Sequence, residues 1–326
     1  MNYMKRSIEV VASVVHFTRR GRLCLLLLLL GCTGPAEGET PVGTGLRFLA
    51  PDSSARDAWP CFSPDGKAVL FCRSLDREKS WHLFVVSSGG GTARRFDNVA
   101  QLLSETRPNW SPQTGKVAFV GRTADRGNCI WIANADGTGV RPLIGASRSA
   151  SYPSWYPNGA WLAFTDTREF SIDRVDVAGG GVVPMTDRRQ VMAGMCNVSP
   201  DGKWIAFAGQ ENNGKAYEQA KNSIWLVGDD GKPRALETAR AQGRAPAWSP
   251  TGERLAFESN RAGLHKYYAV YVINRDGSGI VQVTPEELNG NHPIWSPDGT
   301  SLVFETHRKV GGYWQNGIAI IALPRS

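Results

Sequence analysis

The decisive stretch of this sequence is Trp295-Ser296-Pro297-Asp298-Gly299-Thr300-Ser301-Leu302-Val303-Phe304, because versions of it occur six times. Every copy has a proline two positions after its first residue and a phenylalanine nine positions after it. The copies begin at Phe62, Trp110, Trp155, Val198, Trp248 and Trp295, and their phenylalanines are Phe71, Phe119, Phe164, Phe207, Phe257 and Phe304. No other pattern in the chain is so regular.

One copy of the stretch predicts a β-hairpin. The proline restricts φ and the glycine accepts a positive φ, so the chain reverses between an aromatic-led strand and an apolar strand. A second apolar run then leads to a second glycine-rich turn and a short strand, as in residues 130–133, 136–139 and 141–143. Each unit is therefore predicted to contain four strands.

The spacing of the units predicts the architecture. The prolines of the first turn stand at 64, 112, 157, 200, 250 and 297, with intervals of 43 to 50 residues. Four strands in each interval of this length are typical of a β-propeller blade. Because one blade cannot bury both of its faces, its aromatic and branched residues are expected to pack between neighbouring blades. The prediction is an all-β, six-bladed propeller of four-stranded blades.

The two ends of the repeat region predict how the ring closes. The sixth unit ends after its third strand, residues 318–322, whereas residues 46–49 form a spare strand before the first unit. We expect residues 46–49 to complete the sixth blade, because closure removes the exposed edge of a linear array. The propeller is thus assigned to residues 46–326.

The repeats resemble the WD-like repeats of TolB-type propellers. The resemblance covers about residues 58 to 323 and is clearest in Pro246-Ala247-Trp248-Ser249-Pro250-Thr251-Gly252 and Pro293-Ile294-Trp295-Ser296-Pro297-Asp298-Gly299. It implies a six-bladed propeller with protein partners at the cell envelope, such as a peptidoglycan-associated lipoprotein. The α/β domain that precedes the propeller in that family has no counterpart between Cys32 and the first strand, and TolB itself is normally not lipidated.

The amino-terminal segment resembles a lipoprotein signal. Arg19, Arg20 and Arg22 precede the apolar run 23–30, and the run ends in Leu29-Leu30-Gly31-Cys32, which is similar to a lipobox. The run is shorter than the roughly 20 residues of a spanning helix. Residues 1–31 are therefore predicted to be a signal peptide with lipidation at Cys32, while an ordinary cleaved signal or an uncleaved anchor remains open. Residues 32–45 are polar and rich in glycine and proline, which predicts a flexible tether.

Charge and motifs exclude several functional classes. Residues 1–31 contribute +4 of the formal charge of +7, and the remaining +3 is too close to neutral to indicate nucleic-acid binding. The sequence has no Gly-x-Ser-x-Gly, His-Glu-x-x-His or phosphate-loop motif. The repeated aspartates are explained by turn formation. We expect no cofactor, no metal and no catalytic residue, and we expect Cys61, Cys72, Cys129 and Cys196 to be free, structural thiols.

The candidate binding surface is the face that carries the long, dissimilar links between strands, together with the mouth of the central channel. Several of these links bring basic residues to the entrance of an inner strand, where they are suited to an acidic partner segment. The candidate partner-binding residues are Arg107, Arg188, Arg189, Arg240, Arg244 and His292. The simpler interpretation is scattered, solvated surface charge.

The sequence favours a monomeric, lipid-anchored envelope protein that binds a protein partner without catalysis. The expected location is the outer membrane, with the propeller facing the periplasm. One alternative is a metal-dependent, carbohydrate-active propeller similar to oligogalacturonate lyases, which would need several ligands such as His292 and His307 to converge. Another alternative is a propeller that binds a small glycan or peptide.

Overall fold

The chain folds into six four-stranded antiparallel sheets, and each sheet contains one copy of the repeated stretch. The computed structural model describes residues 41–51, 55–75, 80–96, 102–125, 127–145, 148–179, 181–236, 242–261, 267–310 and 313–324. The chain divides into two units, residues 1–37 and residues 38–326, and all of the described residues belong to the second. The predicted signal segment 1–31, Cys32 and Arg240 lie outside the described residues.

Blades one to five each consist of four consecutive strands, paired in chain order from the innermost to the outermost. Strands are numbered along the chain, so that the closing strand of blade six is β1 and blade one contains β2 to β5. The bounds of blades one to three are β2 (Arg56–Phe62), β3 (Ala68–Ser74), β4 (His82–Ser87), β5 (Arg94–Arg95), β6 (Ser104–Trp110), β7 (Lys116–Arg122), β8 (Cys129–Asn134), β9 (Arg141–Pro142), β10 (Ala150–Trp155), β11 (Trp161–Asp166), β12 (Ser171–Asp176) and β13 (Val182–Pro184).

Blades four and five follow the same plan, and two single-turn 3-10 helices, Gln219–Lys221 and Glu286–Leu288, lie in their links. Blade six is built from both ends of the propeller. The bounds are β14 (Val191–Val198), β15 (Trp204–Glu211), β16 (Ser223–Gly228), β17 (Arg234–Ala235), β18 (Gly243–Trp248), β19 (Arg254–Ser259), β20 (Ala269–Asn274), β21 (Val281–Gln282), β22 (Gly290–Trp295), β23 (Ser301–Val310), β24 (Tyr313–Ala322) and β1 (Thr44–Phe48).

The amino-terminal strand closes the ring as the sequence predicts. Strand β1 pairs with β24, so that Phe48 faces Ala319, and the Leu49 amide continues the ladder by donating to the Ile318 carbonyl at 3.0 Å. Residues 42–45, which the sequence assigns to the tether, also contact the propeller: the Val42 amide donates to the Gln282 carbonyl at 3.0 Å, and β1 begins at Thr44. The polar composition of this segment did not predict these contacts, because they are made by its backbone.

The repeated turn is held by its own side chains. In blade one the Ser63 hydroxyl donates to Asp65 Oδ1 at 2.6 Å, and the same carboxylate accepts the Lys67 amide at 3.1 Å. Gly66 has a φ of 70°, which is costly for a residue with a Cβ. The Ser63 hydrogen bond, with the Lys67 amide, keeps the pKa of Asp65 below its usual value. This geometry supports a structural role for the turn aspartates.

The core lies between the blades. The buried apolar residues of the described part form six clusters, and each cluster takes its members from two adjacent blades. The phenylalanine of every repeat lies on the second strand and is 0 % exposed. One cluster joins Leu49, Val303 and Ile318 of blade six to Phe62 and Phe71 of blade one. The hydrophobic effect therefore acts at every junction of the ring, including the closing one.

The repeated tryptophans also connect neighbouring blades. The indole Nε1 of Trp155 donates to the Asn109 carbonyl at 3.0 Å, and that of Trp295 donates to the Ala247 carbonyl at 3.1 Å. Trp248 makes the equivalent bond to Asn197 at 3.2 Å. Each acceptor lies on the inner strand of the preceding blade. These tryptophans are therefore structural residues rather than exposed platforms for a ligand.

The four cysteines of the propeller are buried free thiols. Burial raises the pKa of Cys196 to about 12, and burial likewise raises the pKa values of Cys61 and Cys72. A thiol that stays protonated is a poor nucleophile. Within the described residues, no helix has the length and apolar character that crossing a membrane requires.

Candidate functional site

A bulge interrupts every inner strand at the same point. Each of β2, β6, β10, β14, β18 and β22 pairs regularly with the second strand of its blade except at two successive residues, where the register shifts. The first of the two has a positive φ in all six blades. These residues, called the channel ring from here on, are Trp59 (φ 50°), Arg107 (54°), Tyr152 (50°), Met195 (53°), Ala245 (47°) and His292 (47°).

Local sequence explains part of the bulge. The second residue is proline in five blades and Cys196 in the sixth, and proline has no amide to give to the ladder. Leaving this proline out of the regular strand pairing therefore costs no hydrogen bond from a backbone amide. The positive φ of the first residue is unfavourable for any side chain but glycine and persists only where the surrounding structure enforces it. Such strain is concentrated at functional sites more often than elsewhere.

The channel ring surrounds one narrow cavity. All six residues line it, together with the residues that follow them, and its volume is about 70 Å³. Because one residue comes from each blade, the cavity lies where the six inner strands converge. The six positions are equivalent in the fold but carry an indole, a guanidinium, a phenol, a thioether, a methyl group and an imidazole. The fold thus supplies the positions, and the individual side chains supply the chemistry.

Arg107 is held between two aromatic rings of the channel ring. The guanidinium carbon lies 4.6 Å from the centre of the Trp59 ring and 4.5 Å from that of Tyr152. One guanidinium nitrogen donates to the Thr106 hydroxyl at 3.2 Å, whereas Nε has no partner among the described residues. The side chain is only partly buried. Cation–π contact with the two rings orients the guanidinium and leaves its edge for an acceptor.

Two glutamates link the channel ring across the junctions between blades five and six and between blades six and one. Glu258 accepts the His292 amide at 2.7 Å with Oε2, and its Oε1 accepts Arg244 Nε at 2.6 Å. Glu305 accepts the Trp59 amide at 3.4 Å. The amides of two strained ring residues are therefore satisfied by carboxylates of the preceding blade. A buried amide without such an acceptor is costly.

Glu305 is also the centre of a histidine pair. Its Oε1 lies 2.5 Å from His307 Nε2, and its Oε2 lies 3.3 Å from His292 Nδ1. Burial works to raise the pKa of Glu305, but the two histidines outweigh it and hold the value at about 2. Burial likewise works to lower the pKa of His307, and Glu305 outweighs it, so that this pKa is raised. The pair is therefore an ionised carboxylate with a readily protonated imidazole.

The structure brings together three of the residues that the sequence singled out. Arg107 and His292 line the channel, and Arg244 reaches the same region through Glu258, which also accepts the His292 amide. Arg188 and Arg189 lie elsewhere: Arg188 is 3.4 Å from Glu169, and Arg189 pairs with Asp187 at 2.6 Å while remaining 89 % exposed. These two residues are already paired locally and do not line the channel.

The sequence analysis missed Trp59, Tyr152, Met195 and Ala245 as members of the ring. A signal was present, because each lies three residues before the first residue of its repeat and all but Met195 precede a proline. Proline after a residue favours an extended conformation for that residue, so the pattern does not by itself predict a positive φ. Among the described residues, no group of three or more His, Cys, Asp or Glu side chains is placed to hold a metal ion.

Comparison with known sequences gives short or distant matches, and no protein-family model matches the chain. The Tol-Pal system protein TolB of Polaromonas sp. is 37% identical over 67 residues, which are 20% of this chain and 16% of that protein. An uncharacterized protein of Agrobacterium fabrum is 25% identical over 229 residues, which are 68% of this chain and 73% of that one.

Solved structures share the fold. TolB from Acinetobacter baumannii has a TM-score of 0.60 at 19% identity, covering 85% of this chain and 66% of its own. An oligogalacturonate lyase from Vibrio parahaemolyticus has a TM-score of 0.54 at 13% identity, covering 86% of this chain and 94% of its own. At these identities the likeness concerns the fold, and a propeller alone does not define an activity.

Proposed function

We propose that this TolB-like six-bladed β-propeller is a non-enzymatic module that binds a protein partner in the bacterial cell envelope. In this proposal the partner docks on the face where the channel opens, and a lipid on Cys32 holds the protein at the outer membrane, with the propeller facing the periplasm. The propeller acts as a monomer. A peptidoglycan-associated lipoprotein is the first partner to test, because one of the relatives is a Tol-Pal system protein.

The observation that carries the proposal is the clamped arginine of the channel ring. Arg107 is oriented by Trp59 and Tyr152 before any partner binds. Tryptophan, tyrosine and arginine are the residues most enriched among those that dominate binding energy at protein interfaces. A side chain that is already ordered loses little entropy on binding. The partner segment that fits best presents a carboxylate or a carbonyl to the free edge of the guanidinium.

The alternative of a metal-dependent lyase has less support. The solved lyase shares the fold, but the two histidines next to the channel lie close to a glutamate: His307 Nε2 is 2.5 Å from Glu305 Oε1, and His292 Nδ1 is 3.3 Å from Glu305 Oε2. A catalytic metal site needs several converging ligands with an open position. The described residues offer no such group.

Replacing Arg107 and Arg244 together with alanine is expected to weaken partner binding about 10- to 100-fold, the effect of losing one or two dominant interface side chains. A crosslinking pull-down from native membranes identifies the partner, and titration of the purified partner measures the loss. Because Arg244 also pairs with the buried Glu258, the single variant Arg107→Ala is measured as well.

The matched control is Arg189→Ala, which removes an arginine that is 89 % exposed and paired with Asp187. We expect it to bind the partner as the wild type does. Unchanged binding by a folded Arg107→Ala variant would remove the channel ring from the proposed interface. Equal losses in Arg107→Ala and Arg189→Ala would indicate a diffuse effect of positive charge instead.

A further inference from the structure

A second cavity, of about 490 Å³, lies beside the channel between blades five and six. Its lining residues lie near the starts of β18, β20 and β22, in the middle of β23 and in the first half of β24. Only His292 belongs both to this side pocket and to the channel ring. The volume is suited to a ligand the size of one or two sugar rings, since ligand pockets commonly measure roughly 300–1,000 Å³.

The charged groups of the side pocket are already compensated. Arg244 directs both Nε and Nη2 to Glu258 Oε1, and Glu258 is 0 % exposed. His307 is hydrogen-bonded to Glu305 through Nε2 and lies 2.6 Å from Asn316 Oδ1 through Nδ1. Each cation on the wall thus has a carboxylate of its own. A ligand with a full charge would find no unpaired counter-charge among the described residues of this pocket.

The wall also contains three asparagine side chains whose amide groups are only partly hydrogen-bonded. Asn289 Oδ1 accepts the Tyr268 amide at 2.9 Å, and Asn291 Nδ2 donates to the Asn289 carbonyl at 2.6 Å. The Nδ2 groups of Asn289 and Asn316 and the Oδ1 of Asn291 have no hydrogen-bond partner among the described residues. An amide offers a donor and an acceptor side by side.

Two tyrosines complete the wall. Tyr267 and Tyr268 are partly buried, and the Arg244 guanidinium lies 4.4 Å from the centre of the Tyr268 ring. The Tyr268 hydroxyl is engaged with Gln242. An aromatic ring offers a ligand an apolar surface on which its C–H groups can pack, and this contact requires no charge on the ligand. The side pocket therefore combines aromatic surface, partly hydrogen-bonded amides and balanced charge.

We propose that the side pocket is a binding site for a neutral mono- or disaccharide. A sugar ring presents hydroxyls that donate and accept at once, as the three asparagine amides require, and it presents an apolar face to a tyrosine. A peptide carboxylate or a phosphate is less suitable, because Arg244 and His307 are committed to Glu258 and Glu305. The side pocket shares His292 with the channel ring and has Arg244 in its wall, but sugar binding there does not require the protein partner proposed for the channel ring.

The test is a titration of the full-length chain with a panel of sugars, followed by saturation-transfer NMR and calorimetry. The panel contains glucose, galactose, mannose, N-acetylglucosamine and the acidic galacturonate. We expect saturable binding of at least one neutral sugar. Asn316→Ala and Tyr267→Ala are each expected to weaken it roughly 3- to 10-fold, which is the effect of losing one hydrogen bond or one packing contact.

The matched control is Asn213→Ala, which removes an exposed asparagine amide from the link of blade four. It is expected to leave the sugar affinity unchanged, and circular dichroism verifies that all variants are folded. The proposal is overturned if no neutral sugar binds saturably, if the two pocket variants bind as well as the control, or if galacturonate binds more tightly than galactose. Because the assay contains no protein partner, failure here leaves the proposed protein-binding function untouched.

Discussion

Arg73→Ala is expected to lower the free energy of unfolding by about 3–5 kcal/mol, the usual effect of breaking a buried ion pair by removing one partner. Arg73 is 6 % exposed and its partner Asp57 is 2 % exposed. Arg73 Nε and Nη2 donate to the two carboxylate oxygens at 2.7 and 2.8 Å. Nη2 also donates to the Ala50 carbonyl at 2.8 Å, next to the strand that closes the ring. The substitution therefore leaves a buried carboxylate without its cation and loosens the closing segment.

Urea unfolding of the wild type and the variant measures the effect. Arg94→Ala, which removes an exposed arginine from β5 of the same blade, is the control and is expected to change stability by less than about 0.5 kcal/mol. The double variant Asp57→Asn with Arg73→Met removes both charges and is expected to be more stable than Arg73→Ala alone. A loss below about 1 kcal/mol in Arg73→Ala would contradict the role assigned to this pair.

Phe119→Ala is expected to be destabilising by about 3–5 kcal/mol, the range for deleting a fully buried phenylalanine. Phe119 is 0 % exposed and packs in the cluster between blades one and two. The equivalent phenylalanines of the other five repeats are equally buried, so the same cost applies at any of them. The cavity lies inside a junction of two sheets, where the rigid strands allow little collapse.

Thermal and urea unfolding report this loss, with Leu103→Ala as the control from the same blade. Leu103 is 44 % exposed, and its truncation is expected to be near neutral, within about 0.5 kcal/mol. Equal losses in the two variants would mean that the repeat phenylalanine has no special place in the core. The comparison tests the inter-blade packing that the repeat predicts.

The fold could be predicted because its information is local and repeated six times. Every turn contains a proline followed two or three residues later by a glycine, three of the six turns read Ser-Pro-Asp-Gly, and the phenylalanine follows the proline at fixed spacing in all six. Closure by residues 46–49 followed from counting strands. The sequence alone therefore predicts the TolB-like propeller, including the strand that completes blade six.

The site could be predicted only in part, because its contacts join residues that are far apart in the chain. Glu305 accepts the amide of Trp59, and Glu258 accepts that of His292. Those contacts cross between blades, so no local pattern encodes them. Arg107 and His292 were identified by their charge and position, whereas Trp59 and Tyr152 were not singled out, since a positive φ before proline has no distinctive sequence signature.

The channel ring shows how a repeated fold carries an individual site. The bulge occurs in every blade, but the side chains at its first position differ. Blades one to three place an indole, a guanidinium and a phenol in succession. Blades five and six supply Glu258 and Glu305, which accept the amides of His292 and Trp59 in the next blade. The strain is common to the six positions, and the residues that fill them differ. A change of side chain at one position thus alters recognition without altering the scaffold.

Docking of a partner protein on the channel ring can be tested in cells by site-specific photo-crosslinking. A photoreactive residue replaces Met195 in the ring, and in a second variant it replaces Lys203, an exposed residue in a short turn on the opposite face. If the partner docks on the channel ring, we expect a discrete crosslinked protein from position 195 that is lost when Arg107→Ala is added, and none from position 203. The same adducts from both positions, or none from position 195, would contradict it.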